Sequence, residues 1–460
     1  MAQNAHQTEV RTDFVPADHY ISPEFLRLEK EHMWPRVWQV ACREEELPNV
    51  GDYVTYNIMD ESIVVVRASD SQLKAYFNVC PHRGRRLTAG CGQLNRFHCK
   101  FHGWQWDLEG SVLRVLDRND WAGCANFGDA DLHLREVRVD TWAGWVFINM
   151  DSSAEPLADY LSPVQDYLDP FEIQKMRYRW YVSVRVPCNW KTGLEAFNEA
   201  YHVVATHPQL LPTYGDVLTR NRTFGRHGNF YYPGNPECPL GAPAPHLGIP
   251  APKDLRPNIV AYYDMYNTTL RAIFSERDVE AVRRLMTEVE PGTPPGMMMT
   301  KMMDFQREAA VAAGAGWPDI SMKQLADAGT DWHVFPNLIM LPYPDGVLAY
   351  RALPDATDPD TCIFEVYALQ RYAPGAEPKL ERKYFHGDGE WRNFKSISII
   401  LQQDFDNMGE VQRGMRSRGF KGARTNPLQE ATVSNFHRAV CQYFHDDAAS
   451  PDCHSDHQRA

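Results

Sequence analysis

Between about Gly51 and Ile148, apolar and polar residues alternate in short runs divided by turn chemistry, which predicts strands. Runs at 53–58, 62–68 and 73–79 are separated by Met59-Asp60-Glu61 and Ser69-Asp70-Ser71. Glu109-Gly110, between 104–106 and 112–115, is a further hairpin signal. The block reads as a small, mostly antiparallel β-domain. Beyond about Ala154 the period changes. Residues 190–206 show helical spacing, 208 to about 257 are Pro/Gly-rich and irregular, and 278–290 are helix-like. Residues 291–303 are rich in Pro, Gly and Met, strand-like runs follow at 334–341, 346–353 and 362–372, and a long helical pattern covers 390–416. Strands and helices are segregated, so an α+β second domain is predicted rather than a doubly wound sheet. The expected divisions are 1–37, packing with the larger domain, then 38–153 and 154–460.

Composition narrows the classes. A chain of 460 residues suggests two or three domains, and 43% apolar with 23% charged residues suits a large buried core. The net charge of −13 argues against a nucleic-acid binder, because neutralising phosphates needs a basic face. Residues 1–10 have neither a basic start nor an apolar run, so no signal peptide is expected, and no apolar stretch is long enough to span a bilayer. A soluble, cytoplasmic protein follows as the expectation. Ten cysteines are too sparse for a disulfide scaffold. Cys42, Cys124, Cys188, Cys238, Cys362, Cys441 and Cys453 are scattered and read as buried free thiols. Cys80, Cys91 and Cys99 fall close together, with histidines at fixed offsets from two of them.

Cys80-Pro81-His82 and Cys99-Lys100-Phe101-His102 form C-x-H and C-x2-H pairs with sixteen residues between His82 and Cys99. Thiolate and imidazole together suit zinc or an iron–sulfur cluster. Zinc fingers usually pair cysteine with cysteine and histidine with histidine, whereas a Rieske [2Fe–2S] centre takes two of each. Cys80-Pro81-His82-Arg83-Gly84 and His102-Gly103-Trp104 match oxygenase-type Rieske loops. Cys91 lies between the pairs with no second spare cysteine beside it, unlike the disulfide-joined loops of respiratory Rieske proteins.

In the stretch 189–208, Trp190, Leu194, Phe197, Tyr201 and Val204 recur as the core stripe of a helix, and Glu195, Glu199 and His202 form a second stripe beside it. Two carboxylates and an imidazole on a helix flank are costly to bury unless something pairs with them. His207 would lie about 140° further round an ideal helix than His202. Pro208 favours a helix end there, a break that can swing His207 back. Two histidines at a helix exit then await a carboxylate, as in the facial triad of oxygen-activating iron. In the C-terminal helix Phe394, Ile397, Leu401, Met408, Val411 and Met415 follow heptad-like spacing, and Asp404 occupies the remaining place. Asp404 is therefore the expected third ligand, with Asp406 as runner-up. Glu199-x-x-His202 would also suit half of a di-iron carboxylate site.

Together these residues resemble the large (α) subunits of Rieske non-haem iron oxygenases, over most of the chain. The resemblance implies a Rieske domain followed by a catalytic domain of helix-flanked antiparallel sheet. By position, Cys80, His82, Cys99 and His102 would hold the cluster, and His202, His207 and Asp404 a mononuclear Fe(II). Glu199 would bridge an iron histidine to a cluster histidine of a neighbouring subunit and so carry electrons between centres. Many ring dioxygenases have Asp there, whereas some relatives acting on quaternary ammonium substrates have Glu. A homotrimer, or an α3β3 assembly with a small β subunit, is implied. The chain has no G-x-G-x-x-G and no cysteine set for a plant-type ferredoxin, so NAD(P)H electrons are expected through a separate reductase, with or without a ferredoxin. Arg83, Arg85 and Arg86 could dock such a partner or form an ordinary solvated patch.

The expected activity is (di)hydroxylation of a hydrophobic aromatic or polycyclic molecule with O2. The alternatives are a monooxygenase or demethylase acting on a quaternary ammonium or other non-aromatic substrate, an electron carrier without oxygenase activity, and a structural zinc protein. Residues from about Tyr214 to Asp331 are expected to supply a lid and pocket wall, with Met297, Met298, Met299, Met302 and Met303 as adaptable fillers. Phe394 and Ile400 are pocket candidates by their place before Asp404.

Overall fold

The computed structural model describes residues 10–444; residues 1–9 and Cys453 lie outside them. The first sheet is built from hairpins. Strands β1 (Gln39–Arg43), β2 (Asp52–Ile58), β3 (Glu61–Ser69), β4 (Gln72–Phe77) and β5 (Cys91–Gln93) come first. A three-stranded sheet of β6 (Phe97–His98), β7 (Gln105–Trp106) and β8 (Val112–Arg114) follows, then β9 (Glu136–Trp142) and β10 (Trp145–Asn149). The large sheet is antiparallel in the order β1-β10-β9-β4-β3-β2-β5. Alternation along β3 buries Val64 and Val66 with Cys80, Cys99, Trp104 and Trp106 in a core of their own.

The second sheet comprises β11 (Arg177–Val186), β12 (Arg220–Phe224), β13 (His227–Tyr231), β14 (Asp331–Val334), β15 (Leu338–Tyr343), β16 (Gly346–Pro354), β17 (Cys362–Gln370) and β18 (Arg382–Phe385). Its order is β12-β13-β14-β15-β16-β17-β11-β18, with only the β11–β18 pair parallel. The expected run at 334–341 is two strands, because Pro336 cannot donate to a ladder. The region 208–257, expected to be irregular, contains the β12–β13 hairpin.

The strand period of two sorts this sheet into two faces. Arg351, Glu365 and Tyr367 point to the first domain: Arg351 donates to the carbonyls of Val40 and Ala41, and Tyr367 packs edge-on against Trp145. Arg351 is paired with Glu365, as a buried guanidinium must be. Tyr350 and Phe364 point the other way and meet Phe197.

That opposite face receives helices α1 (Trp190–Glu195), α2 (Val203–Thr206), α6 (Ile399–Met415) and α7 (Ala431–Gln442), while α3 (Arg256–Thr269), α4 (Glu276–Arg283) and α5 (Pro295–Ala312) form a layered group. The Met-rich stretch is thus the start of α5, with Pro295 at its first turn, where a missing N–H costs nothing. Met298 and Met302 are buried in the core, Met303 accepts from Tyr343 Oη, and Met297 is exposed. The N-terminal segment lies against the helices: Val15–Pro16 pairs with Gly422–Ala423, and Glu29 forms a buried ion pair with Lys191 of α1. Among the described residues, no helix is long and apolar enough to cross a membrane.

Candidate metal centres

The two Cys/His loops share one backbone design. Cys80 N–H donates to Arg85 O at 2.8 Å, and Gly84 N–H donates to Cys80 O at 2.9 Å. In the second loop Cys99 N–H donates to Trp104 O at 2.9 Å, and Gly103 N–H donates to Cys99 O at 3.0 Å. Each turn closes on a glycine four residues after its cysteine, at φ 73° for Gly84 and 74° for Gly103, a conformation L side chains resist. The hairpins present Cys80, His82, Cys99 and His102 toward one another. The imidazoles of His82 and His102 lie 4.6 Å apart, and His82 stacks on Trp104 at 4.7 Å.

The donor set fits a cluster. Both thiols are buried, and burial foremost pushes Cys80 up to about 11, so Cys80 does not suit a free thiolate. The Nδ1 atoms of His82 and His102 are buried without a hydrogen-bond partner. Two buried thiols and two orphaned imidazole nitrogens facing one volume are costly alone and natural as metal donors. Cys91 is exposed on β5 and takes no part.

The second centre corrects an expectation. The stretch 190–206 is not one helix: α1 ends at Glu195, a turn runs through residues 196–202, and α2 covers four residues. The break has a side-chain cause. One oxygen of Glu199 accepts the backbone N–H groups of Tyr201 and His202, displacing the helical ladder. Glu195 and Glu199 therefore do not share a stripe. Glu195 turns instead to Tyr20 Oη at 3.1 Å and to His437 of α7.

His202, His207 and Asp404 converge, with ligand atoms within 4.8 Å of one another. Asp404 Oδ1 is 3.0 Å from His207 Nε2 and 3.5 Å from His202 Nε2. Each histidine is held from behind. Glu199 Oε1 is 2.5 Å from His202 Nδ1, and Gln403 Oε1, which also accepts from Gln209, is 2.9 Å from His207 Nδ1. These contacts assign the proton of each ring to Nδ1 and aim each Nε2 lone pair inward. Burial opposes the charged form of Asp404, yet the two histidines hold its carboxyl below the usual range. His202 is raised to about 10, with burial opposing and Glu199 the largest favourable influence. A carboxylate and two imidazoles concentrated this tightly suit a divalent ion with open positions.

The stripe leading to Asp404 is shifted from the expected one. Residues 390–396 form a 3-10 helix, and α6 starts at Ile399, capped by Ser398. Val411 is exposed, and Gln412 takes the buried place, bonded to Asn189 N and Asp360. Asp406 is exposed and accepts from Gln402 Nε2, apart from the triad. Phe394 is fully buried, with its ring 5.0 Å from Phe405, in a layer behind Asp404; Ile400 is buried in the first turn of α6. Gln403 and Gln209 were absent from the sequence reading, since nothing in the local pattern marks a glutamine as a partner of a distant histidine.

Comparison with known proteins decides the family. The profile described as "Ring hydroxylating alpha subunit (catalytic domain)" matches residues 173–446, and that of the Rieske [2Fe-2S] domain matches 37–121. The chain belongs to the ring-hydroxylating α-subunit family. It is similar to the carnitine monooxygenase oxygenase subunit of Escherichia coli (strain K12), at 35% identity over 42% of this chain and 52% of that one. The α subunit of benzene 1,2-dioxygenase from Pseudomonas putida is 29% identical over 50% of this chain and 55% of that protein. The chain thus spans about half the length of the curated relatives it matches. The fold is shared with a quaternary ammonium Rieske monooxygenase solved with L-carnitine (TM-score 0.62, 20% identity, 94% of this chain and 95% of that one).

Proposed function

We propose that this chain is the terminal oxygenase of a multicomponent Rieske system acting on a substrate with a quaternary ammonium group. In this reading Cys80, His82, Cys99 and His102 hold the [2Fe–2S] cluster, and His202, His207 and Asp404 hold the mononuclear iron. The observation that carries it is the convergence of one carboxylate and two Nδ1-anchored histidines in a chain that also has a complete Rieske loop pair. The bound metals would supply O2 activation at the triad and single electrons from the cluster. The protein's share is positional. Asp404 offsets metal charge in a buried site, and Gln403 fixes the tautomer of His207. Glu199 holds the His202 proton at Nδ1, and in this reading it also bridges to a cluster histidine of a neighbouring subunit. A reductase, directly or through a ferredoxin, and a trimeric assembly belong to the same proposal.

Glu199 and the similarity to carnitine monooxygenase support the ammonium substrate over the aromatic one expected from the Met-rich stretch, whose buried members pack as core. A second reading, ring hydroxylation, is favoured by the benzene dioxygenase relative and by the stacked rings of Phe197 and Tyr350. Product analysis with a surrogate reductase, on carnitine, glycine betaine, benzene and naphthalene, separates the two. Cleaved or hydroxylated ammonium products are expected; ring diols from the arenes alone would overturn this reading in favour of the second.

A further inference from the structure

Asp331 opens strand β14 on the sheet face that carries Tyr350 and looks toward the triad's helices. The register sets this face. Phe230 pairs with Asp331, His333 with Ile339, and Ile339 with Tyr350, so these side chains share one side of the sheet. Tyr350 meets Phe197 at 4.1 Å, two residues before Glu199. Asp331 is 3% exposed, and its Oδ1 has no hydrogen-bond partner. Among the described residues no cation acts on it: burial alone moves its carboxyl, well above the usual range.

The groups around it are aromatic. Burial pushes the Tyr232 and Tyr350 hydroxyls up, and charge on Asp331 adds to both, with Asp404 adding to Tyr350 as well. Tyr232 accepts from Tyr214 at 2.8 Å, and Tyr214 packs on Tyr262. His333, two residues along, is 3.1 Å from Pro336 O and is pushed down to about 4 by burial, so it brings no charge. Every other strongly buried carboxylate discussed above has a basic partner: Glu29 has Lys191, Glu365 has Arg351, and Asp404 has two histidines. A buried carboxylate with no partner destabilises the fold unless something arrives to pair with it.

We infer that Asp331 is the counter-ion for the cationic nitrogen of the substrate, with Tyr232 and Tyr350 as aromatic flanks that accept its methyl groups. This rests on the ammonium reading above and names the residue that makes it selective. Cations seat well against tyrosine faces, and a desolvated carboxylate adds charge discrimination that rings alone do not give. Asp331 lies on β14, whereas the proposed metal ligands lie in loops and on α6, so its loss is expected to leave both centres intact.

The test is equilibrium binding of choline and of its uncharged tert-butyl isostere to the anaerobic holoenzyme by calorimetry. Wild type is expected to favour choline by about tenfold or more, Asp331→Asn to lose that preference, and Asp331→Glu to keep most of it. Asp331→Asn should also raise the melting temperature at neutral pH. A carboxyl whose pKa is raised by folding costs stability above its unfolded pKa, and the amide removes that cost. Asp331→Asn that keeps the full preference, or melts lower than wild type, overturns the role of Asp331 while leaving the ammonium reading standing. Wild type with no preference for the cation overturns both.

Discussion

The two metal centres are built in opposite ways. The four proposed cluster donors come from two hairpin turns that each close locally, Cys N–H to a carbonyl five residues on and a glycine N–H back to the cysteine carbonyl. The triad joins a broken helix at 202–207 to Asp404 on α6, and even its supporting bond from His207 to Gln403 spans 196 residues of sequence. A locally closed site depends on its own turns and on a separate small core. The triad exists only when the second sheet and its helices are packed. Damage at the cluster should therefore reach everything downstream, and damage at the triad should stop at turnover.

Four substitutions sharpen this contrast, from the largest effect to the smallest. Cys99→Ala is expected to abolish the cluster's visible spectrum and turnover together, and to loosen the core around Trp104 and Trp106, read as an early transition in thermal melting. Asp404→Ala should abolish product formation and lower iron content while the spectrum of the reduced cluster stays unchanged. Glu199→Gln should leave a cluster that chemical reductants still reduce but slow product formation by about a hundredfold, checked by single-turnover assay. Unchanged turnover would mean that electrons take another route. Gly84→Ala meets no atom within 4 Å, so only its positive φ matters, and a loss of about 1 kcal/mol is expected in chemical denaturation.

The same contrast explains what the sequence made legible. Cys80, His82, Cys99 and His102 could be read because each turn is written in consecutive residues. Each loop even places a glycine four residues after its cysteine, a regularity visible in the sequence itself. The period-two strands of the first sheet were legible for the same local reason. The helix over 190–206 was misread because its 4-3-4-3 apolar spacing survives the break; the cause is a carboxylate, Glu199, competing for backbone N–H groups. Val411 was misplaced and Gln412 overlooked because Gln412 is buried by polar bonds to Asn189 and Asp360, which no hydrophobic period reveals. Strand β11 and the β12–β13 hairpin went unread, since their ends are set by sheet partners far along the chain. Asp331 carries no sequence signal. Only burial without a partner marks it.

The central claim is two separable iron centres in one chain, and metal and acid-labile sulfide analysis of wild type beside Asp404→Ala tests it most directly. About three irons and two sulfides per chain are expected in wild type, with about two irons, two sulfides and an unchanged reduced-cluster resonance in the variant. Zinc in place of iron, or loss of the cluster resonance on removing Asp404, would contradict the account.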